Sequence, residues 1–271
     1  MDETFLNVNQ CFFSTGTDEK AIIKVLTSRT NSQRQEIEHY YKTAYGKDLV
    51  TDLKKELSGD FEDLVMVLME PYSQYDARFL RKAMEQLAAI KDAYKKEERE
   101  GTHGKRDESY VVDLNRAKAD AQVLYEAGEN TFGTDESEFQ RILVTRNWMQ
   151  MRAIFDAYQE VETKHSLFEI AGRSIEDSIK REMSGDLEKT FLTIVKYCRN
   201  PAKYFAEVLH KAMAGLGTDE DRLTRTIITR SEIDLGDIKR AYEDKYDKSL
   251  ASAVESEVGG DVKRLLLGLI K

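Results

Sequence analysis

Met213-Ala214-Gly215-Leu216-Gly217-Thr218-Asp219-Glu220 joins one apolar-periodic segment to the next, and its last four residues occur three times in the chain. Gly-Thr-Asp-Glu stands at Gly16 to Glu19, at Gly133 to Glu136 and at Gly217 to Glu220, and an arginine follows 13 residues after each glycine, at Arg29, Arg146 and Arg230. Further along, an acid precedes a small-Gly-Asp turn each time: Glu56 before Ser58-Gly59-Asp60, Glu182 before Ser184-Gly185-Asp186, and Glu257 before Gly259-Gly260-Asp261. Self-similarity on this scale is the signature of a stacked array of one supersecondary unit. Any ion site built into the unit is repeated with it.

The unit reads as helical throughout. Proline occurs only at Pro71 and Pro201, and apolar residues recur at helical rather than alternating spacing. In the first unit Thr17 is expected to cap a helix carrying Ile22, Val25 and Leu26. Ser32-Gln33-Arg34-Gln35 reads as a capping box for a second helix, with Ile37, Tyr40, Tyr41 and Ala44 on one face and Gly46 as its stop. A short helix with Leu49, Leu53 and Leu57 follows, and Asp60 is expected to cap the next, which bears Leu64, Val65 and Leu68. Counting the segment before Gly16, each unit has five helices. Matching core stripes are Ile142, Leu143, Ile154, Phe155, Tyr158, Ile175, Ile179, Phe191 and Val195 in one later unit. In the other they are Ile227, Ile228, Ile238, Tyr242, Leu250, Val254, Leu265 and Leu269.

The second and third signatures are 84 residues apart, the first and second 117, too long for one unit and too short for two. Arg81-Lys82-Ala83-Met84 resembles His210-Lys211-Ala212-Met213, but the chain then runs straight into a segment like the middle helix of a unit, ending at Tyr94. A further unit has lost its signature loop and turn, and Lys95 to Glu108 reads as a charged linker. The expected division is repeat 1 over 1–75, a truncated repeat 2 with linker over 76–112, repeat 3 over 113–199 and repeat 4 over 200–271.

Composition excludes several classes of function. A net charge of −9 with a pI near 5.2 argues against nucleic acid, and it opposes contact with an anionic membrane unless a cation intervenes. No apolar run has the ~18 to 20 residues a bilayer span needs, and Met1-Asp2-Glu3-Thr4 does not open a signal peptide. A cytoplasmic location is expected. Cys11 and Cys198 lack metal or disulfide spacing and read as reduced core thiols. His39, His103, His165 and His210 lack ligand spacing and read as surface residues, and no nucleophile elbow, phosphate loop or EF-hand loop is present. An enzyme is not expected.

The repeated loop is suited to a hard cation. A helix end leaves carbonyls without intrahelical partners, and glycines let successive carbonyls turn one way. Calcium takes six to eight oxygens, commonly including a carboxylate. In the last unit Met213, Gly215 and Gly217 can supply carbonyls, and Glu257, 40 residues past Gly217, the carboxylate; Gly16 and Glu56 have the same offset. A single copy would read as a helix C-cap joined to an N-cap, but three copies with paired acids point to an ion site.

Met-x-Gly-x-Gly-Thr-Asp, Thr229 to Leu235 (Thr-Arg-Ser-Glu-Ile-Asp-Leu) and the Ser-Gly-Asp after the acid resemble annexin repeats over nearly the whole chain. The resemblance implies an all-α curved disc of five-helix repeats that binds Ca2+ and, through it, acidic phospholipid membranes as a peripheral protein. It places third-repeat ligands on Gly128, Thr131 and Gly133 with Glu182. The fourth-repeat set is Met213, Gly215, Gly217 and Glu257, and the first-repeat set Phe12, Ser14, Gly16 and Glu56. Ser14 stands where the pattern has glycine and adopts left-handed backbone less readily, so the first site is expected to be the weakest. The truncated repeat should bind nothing. Phe132, inside the third loop, is expected to enter the lipid interface, whereas Trp148 is expected to pack. With one or two carboxylates per site, intrinsic calcium affinity should be on the order of 10⁻⁴ to 10⁻³ M, tightened when a lipid phosphate completes the shell. Self-association on membranes is left open. The competing reading is a calcium-independent helical scaffold for cytoskeletal or regulatory proteins.

Overall fold

The computed structural model describes residues 18–72, 74, 109–129, 136–165, 174–215 and 217–271. Among them the regular elements are fourteen α-helices. The first repeat contributes α1 (Glu19–Thr27), α2 (Asn31–Tyr45), α3 (Leu49–Glu56) and α4 (Gly59–Met69). Two sets of five follow. One is α5 (Leu114–Glu129), α6 (Glu136–Thr145), α7 (Trp148–His165), α8 (Ile175–Glu182) and α9 (Gly185–Arg199). The other is α10 (Pro201–Met213), α11 (Glu220–Arg230), α12 (Leu235–Tyr246), α13 (Leu250–Glu257) and α14 (Gly260–Ile270). The chain forms two compact units, one of Met1–Ala83 with Phe205–Lys271 and one of Met84–Tyr204.

In the first unit the last helix packs against the first repeat: α14 lies on α1 and α4 as well as on α11 and α13. Gly268 permits that approach, because a Cβ there would stand 2.9 Å from Thr27 Cγ2. Arg34 sits in the interior, 1% exposed. Its guanidinium donates to the carbonyls of Leu68 and Leu26, each at 2.9 Å, to that of Arg29, and to Glu232 Oε1 at 3.0 Å. Glu232 Oε1 also accepts from Asn31 N–H and the Tyr72 hydroxyl, both at 2.9 Å, so one carboxylate ties repeat 1 to the turn before α12. Burial, and then the bond to Glu232, pushes the Tyr72 hydroxyl above its ordinary pKa.

The second unit is built around α7 packed on α5. All nine of the stripe residues expected there, Ile142 through Val195, are buried in one core. Arg146 makes a buried fork to Asp120, Nε at 2.7 Å and Nη2 at 3.0 Å. Its counterpart Arg230 instead pairs with Asp234 at 2.6 Å and covers the Phe205 ring. Arg146 and Arg230 are thus used differently, a difference that spacing alone does not reveal.

Helix starts differ from expectation by one or two residues. The cap of α1 is Asp18, whose carboxylate accepts from Ala21 N–H at 3.0 Å, one residue beyond Thr17. The capping box is Thr30 with Gln33, not Ser32 with Gln35: Thr30 takes the extended backbone a cap requires, and Ser32 lies inside the helix. Asp60 likewise lies within the first turn of α4, where Ser58 is the extended residue and makes no side-chain cap bond. In α2 the buried stripe is Asn31, Arg34, Ile37 and Tyr41, which leaves Tyr40 and Ala44 exposed. Gly46 does end α2, in left-handed conformation at φ 66°, with its N–H on Lys42 O. His39 is exposed, but His210 stacks on Tyr246 at 3.8 Å. Cys198 is buried; Cys11 lies outside the described residues.

Candidate ion-binding loops

Each of the three acids ends an eight-residue helix: Glu56 ends α3, Glu182 ends α8 and Glu257 ends α13. A carboxylate at this position faces the negative end of the helix dipole, an arrangement that costs stability unless positive charge stands nearby. The last turns of α3 and α8 supply that charge with Lys54 and Lys55 and with Lys180 and Arg181, whereas the last turn of α13 carries no basic residue. The turns that follow are alike. Leu57, Met183 and Val258 take extended backbone and return an N–H to Leu53, Ile179 and Val254. A glycine at φ 63°, 67° or 58° then opens the next helix, at Gly59, Gly185 and Gly260.

Of the three candidate sites, the last is described on both sides, Leu216 apart. α10 ends at Met213 and α11 begins at Glu220. Between them Gly215 (φ 132°) and Gly217 (φ 96°) adopt backbone that a side chain would strain. The loop is closed by Asp219 N–H on Ala212 O at 2.8 Å, and Asp219 caps α11 through Arg222 N–H at 3.1 Å. Thr218 Oγ1 donates to Glu257 Oε2 at 3.2 Å. Residues 39 apart in sequence are therefore hydrogen-bonded, and the carboxylate stands against the loop whose carbonyls belong to Met213, Gly215 and Gly217. Tyr242 registers the same charge: burial, then Tyr246, then Glu257 push its hydroxyl above the ordinary value.

In the third repeat Gly128 lies in the last turn of α5, packed on Phe139, whose ring is 3.5 Å from where a Cβ would be. Arg181, next to Glu182, donates through Nη2 to the Gly128 carbonyl at 3.0 Å. The end of α8 and the end of α5 therefore meet as the two halves of the fourth site do. Thr131, Phe132 and Gly133 lie outside the described residues, as do Phe12, Ser14 and Gly16 of the first loop. Glu56 is exposed at the end of α3. Trp148, 45% exposed, meets the edge of Tyr197 at 5.3 Å.

Sequence reasoning missed Thr218 and Arg181. The signal for Thr218 was present in Gly-Thr-Asp, where threonine was given the cap that aspartate occupies. Nothing in the spacing marks Arg181, because its partner is a backbone oxygen. Among the described residues no three His, Cys, Asp or Glu side chains form a metal-ligating group. Carbonyl and carboxylate oxygens are hard donors, which suit calcium better than a softer metal.

The family model for annexins matches residues 8–68, 119–194 and 204–269. Annexin A13 of Mus musculus is 40% identical over 294 residues, covering 94% of this chain and 90% of that protein. Among solved structures, annexin III aligns with a TM-score of 0.83 and 37% identity over 99% of this chain and 92% of its own. A calcium-bound annexin (Sm)1 aligns with a TM-score of 0.77 and 28% identity over 99% and 89%. The three matched segments each contain one signature and its acid-bearing turn, and they leave residues 69–118 unmatched. The chain belongs to the annexin family.

Proposed function

We propose that this chain binds acidic phospholipid surfaces in a calcium-dependent, reversible and non-enzymatic manner. The observation that carries the reading is the Thr218–Glu257 hydrogen bond, which sets a carboxylate beside the doubly left-handed Gly215–Gly217 loop. Met213, Gly215 and Gly217 would hold the ion with Glu257; Gly128, Thr131 and Gly133 would do so with Glu182. Phe12, Ser14 and Gly16 with Glu56 form the weakest set. When bound, calcium supplies the positive charge that a protein of net charge −9 needs to meet an anionic headgroup. Thr218 orients the Glu257 carboxylate, and the two glycines hold the carbonyls in place, so little reorganisation accompanies binding. Among the described residues no helix is long and apolar enough to cross a membrane, which fits peripheral attachment. The division into three loop-bearing repeats and one shortened repeat over 76–112 is part of the same proposal and limits the loops to three sites.

Co-sedimentation with phosphatidylserine vesicles tests it. Binding is expected at millimolar calcium and is expected to be lost when chelator is added; retention after chelation would overturn the reading. Phe132→Ala is expected to weaken vesicle binding several-fold while leaving calcium binding in solution unchanged, since the aromatic body contributes apolar contact with the interface and no ligand oxygen. Equal vesicle affinity would remove Phe132 from the contact surface.

A further inference from the structure

A cleft of about 560 Å³ lies between α1 and α14 in the first unit. Four of its lining side chains are cationic, Lys20, Lys24, Arg264 and Lys271, and no acidic side chain lines it. In a protein of net charge −9 this is a local reversal of sign. Ile23 and Leu267 give it apolar walls, and the close approach of Gly268 to Thr27 brings the two helices together beneath them. All four cations are exposed. Arg264 is held by Asp261, one turn back on α14, while among the described residues Lys20, Lys24 and Lys271 enter no salt bridge.

Helix geometry makes the charge arrangement deliberate. Lys20 and Lys24 are four apart on one face of α1, with Ile23 and Thr27 beside them, and a like-charged pair at this spacing is destabilising unless an anion lies between. Arg264 and Leu267 lie three apart on α14, as Lys20 and Ile23 do on α1, and Lys271 follows directly after its last residue. Neither Glu257 nor the Gly215–Gly217 loop lines the cleft. The cleft runs along α1 from Lys20 to Ser28 and along α14 from Arg264 to Lys271, about 6 to 16 Å from the start of that helix.

We propose that this cleft binds a small organic polyanion, a phosphate ester with two or more phosphate groups on a compact body, and does so without calcium. The phosphates meet the three lysines and Arg264, and the carbon framework lies on Ile23 and Leu267. Its volume is within the range of small-molecule sites. A soluble ester and the headgroup of a polyphosphorylated lipid present the same chemistry.

The test uses the full chain in buffer freed of calcium over chelating resin, since a soluble chelator is itself a polyanion. Inositol trisphosphate is titrated calorimetrically, and vesicles of phosphatidylcholine with phosphatidylinositol bisphosphate are tested by sedimentation. Saturable trisphosphate binding is expected, weakened at least tenfold by Lys20→Ala with Lys24→Ala, several-fold by Arg264→Gln alone, and progressively by added salt. Vesicle binding lost in the lysine double variant assigns the headgroup as source, and trisphosphate binding without vesicle binding assigns the free ester; both support the site. Glu257→Gln is expected to leave trisphosphate binding unchanged, which separates this proposal from the calcium reading. No saturable binding by the wild-type chain, or equal affinity in the lysine double variant with its helix content intact, would overturn it.

Discussion

Glu182→Gln and Glu257→Gln should each raise the calcium needed for vesicle binding several-fold, and the two together should come close to abolishing it. The substitution replaces a carboxylate by an uncharged amide of the same shape. In the fourth repeat the amide oxygen can still accept from Thr218, so the loop keeps its geometry while the ion loses a charged ligand. With so few carboxylates per site, each one removed is a large share of the electrostatic attraction. Glu56→Gln should matter least, because Ser14 in the first loop reaches ligand geometry less readily than glycine and substitution at a weak site removes little differential affinity. A calcium titration of vesicle binding across the three single variants and the double variant orders them. Glu56→Gln as the most damaging single change would show that the argument from loop backbone is wrong.

The second large effect concerns folding. Arg34→Ala should cost about 3–5 kcal/mol, the range for breaking a buried charge pair. Truncation deprives the carbonyls of Leu26, Arg29 and Leu68 of their donor in the interior and opens a void where the side chain lay. It also removes one of the bonds by which Glu232 ties repeat 1 to the turn before α12. Glu232→Gln should cost less, since its amide oxygen can still accept from Asn31 and Tyr72 and its 27% side-chain exposure lets water solvate what remains. Urea unfolding of the two variants measures the difference. A midpoint for Arg34→Ala within error of wild type would mean that those carbonyls find water or another donor.

Much of the fold can be read directly from the chain because the unit is helical, capped and repeated. Ile142, Ile154, Phe155, Ile179 and Val195 are buried at the helical period, and Gly46 ends α2 in the conformation that favours glycine. The errors arise where two residues compete for one role. Thr17 and Asp18 are both good caps, as are Thr30 and Ser32, and backbone geometry rather than residue type selects between them. Buried polar pairs were harder still. Arg34 is one of several charged residues on an otherwise amphipathic helix, and only the packing shows that it points inward.

The candidate sites were legible to the extent that they are written in glycines and acids. The recurrence of Glu56, Glu182 and Glu257 at helix ends follows from counting, and the positive φ angles of Gly215 and Gly217 follow from residue type. The hydrogen bond from Thr218 and the bond from Arg181 to Gly128 depend on how helix ends meet across 39 and 53 residues, which a linear pattern does not encode.

A crystal structure of the protein grown with millimolar calcium is the most direct measurement of the central claim. It should show an ion within about 2.3–2.6 Å of the carbonyl oxygens of Met213, Gly215 and Gly217, with the Glu257 carboxylate in the same shell. Calcium bound elsewhere, with these carbonyls and Glu257 outside its coordination, would contradict the account.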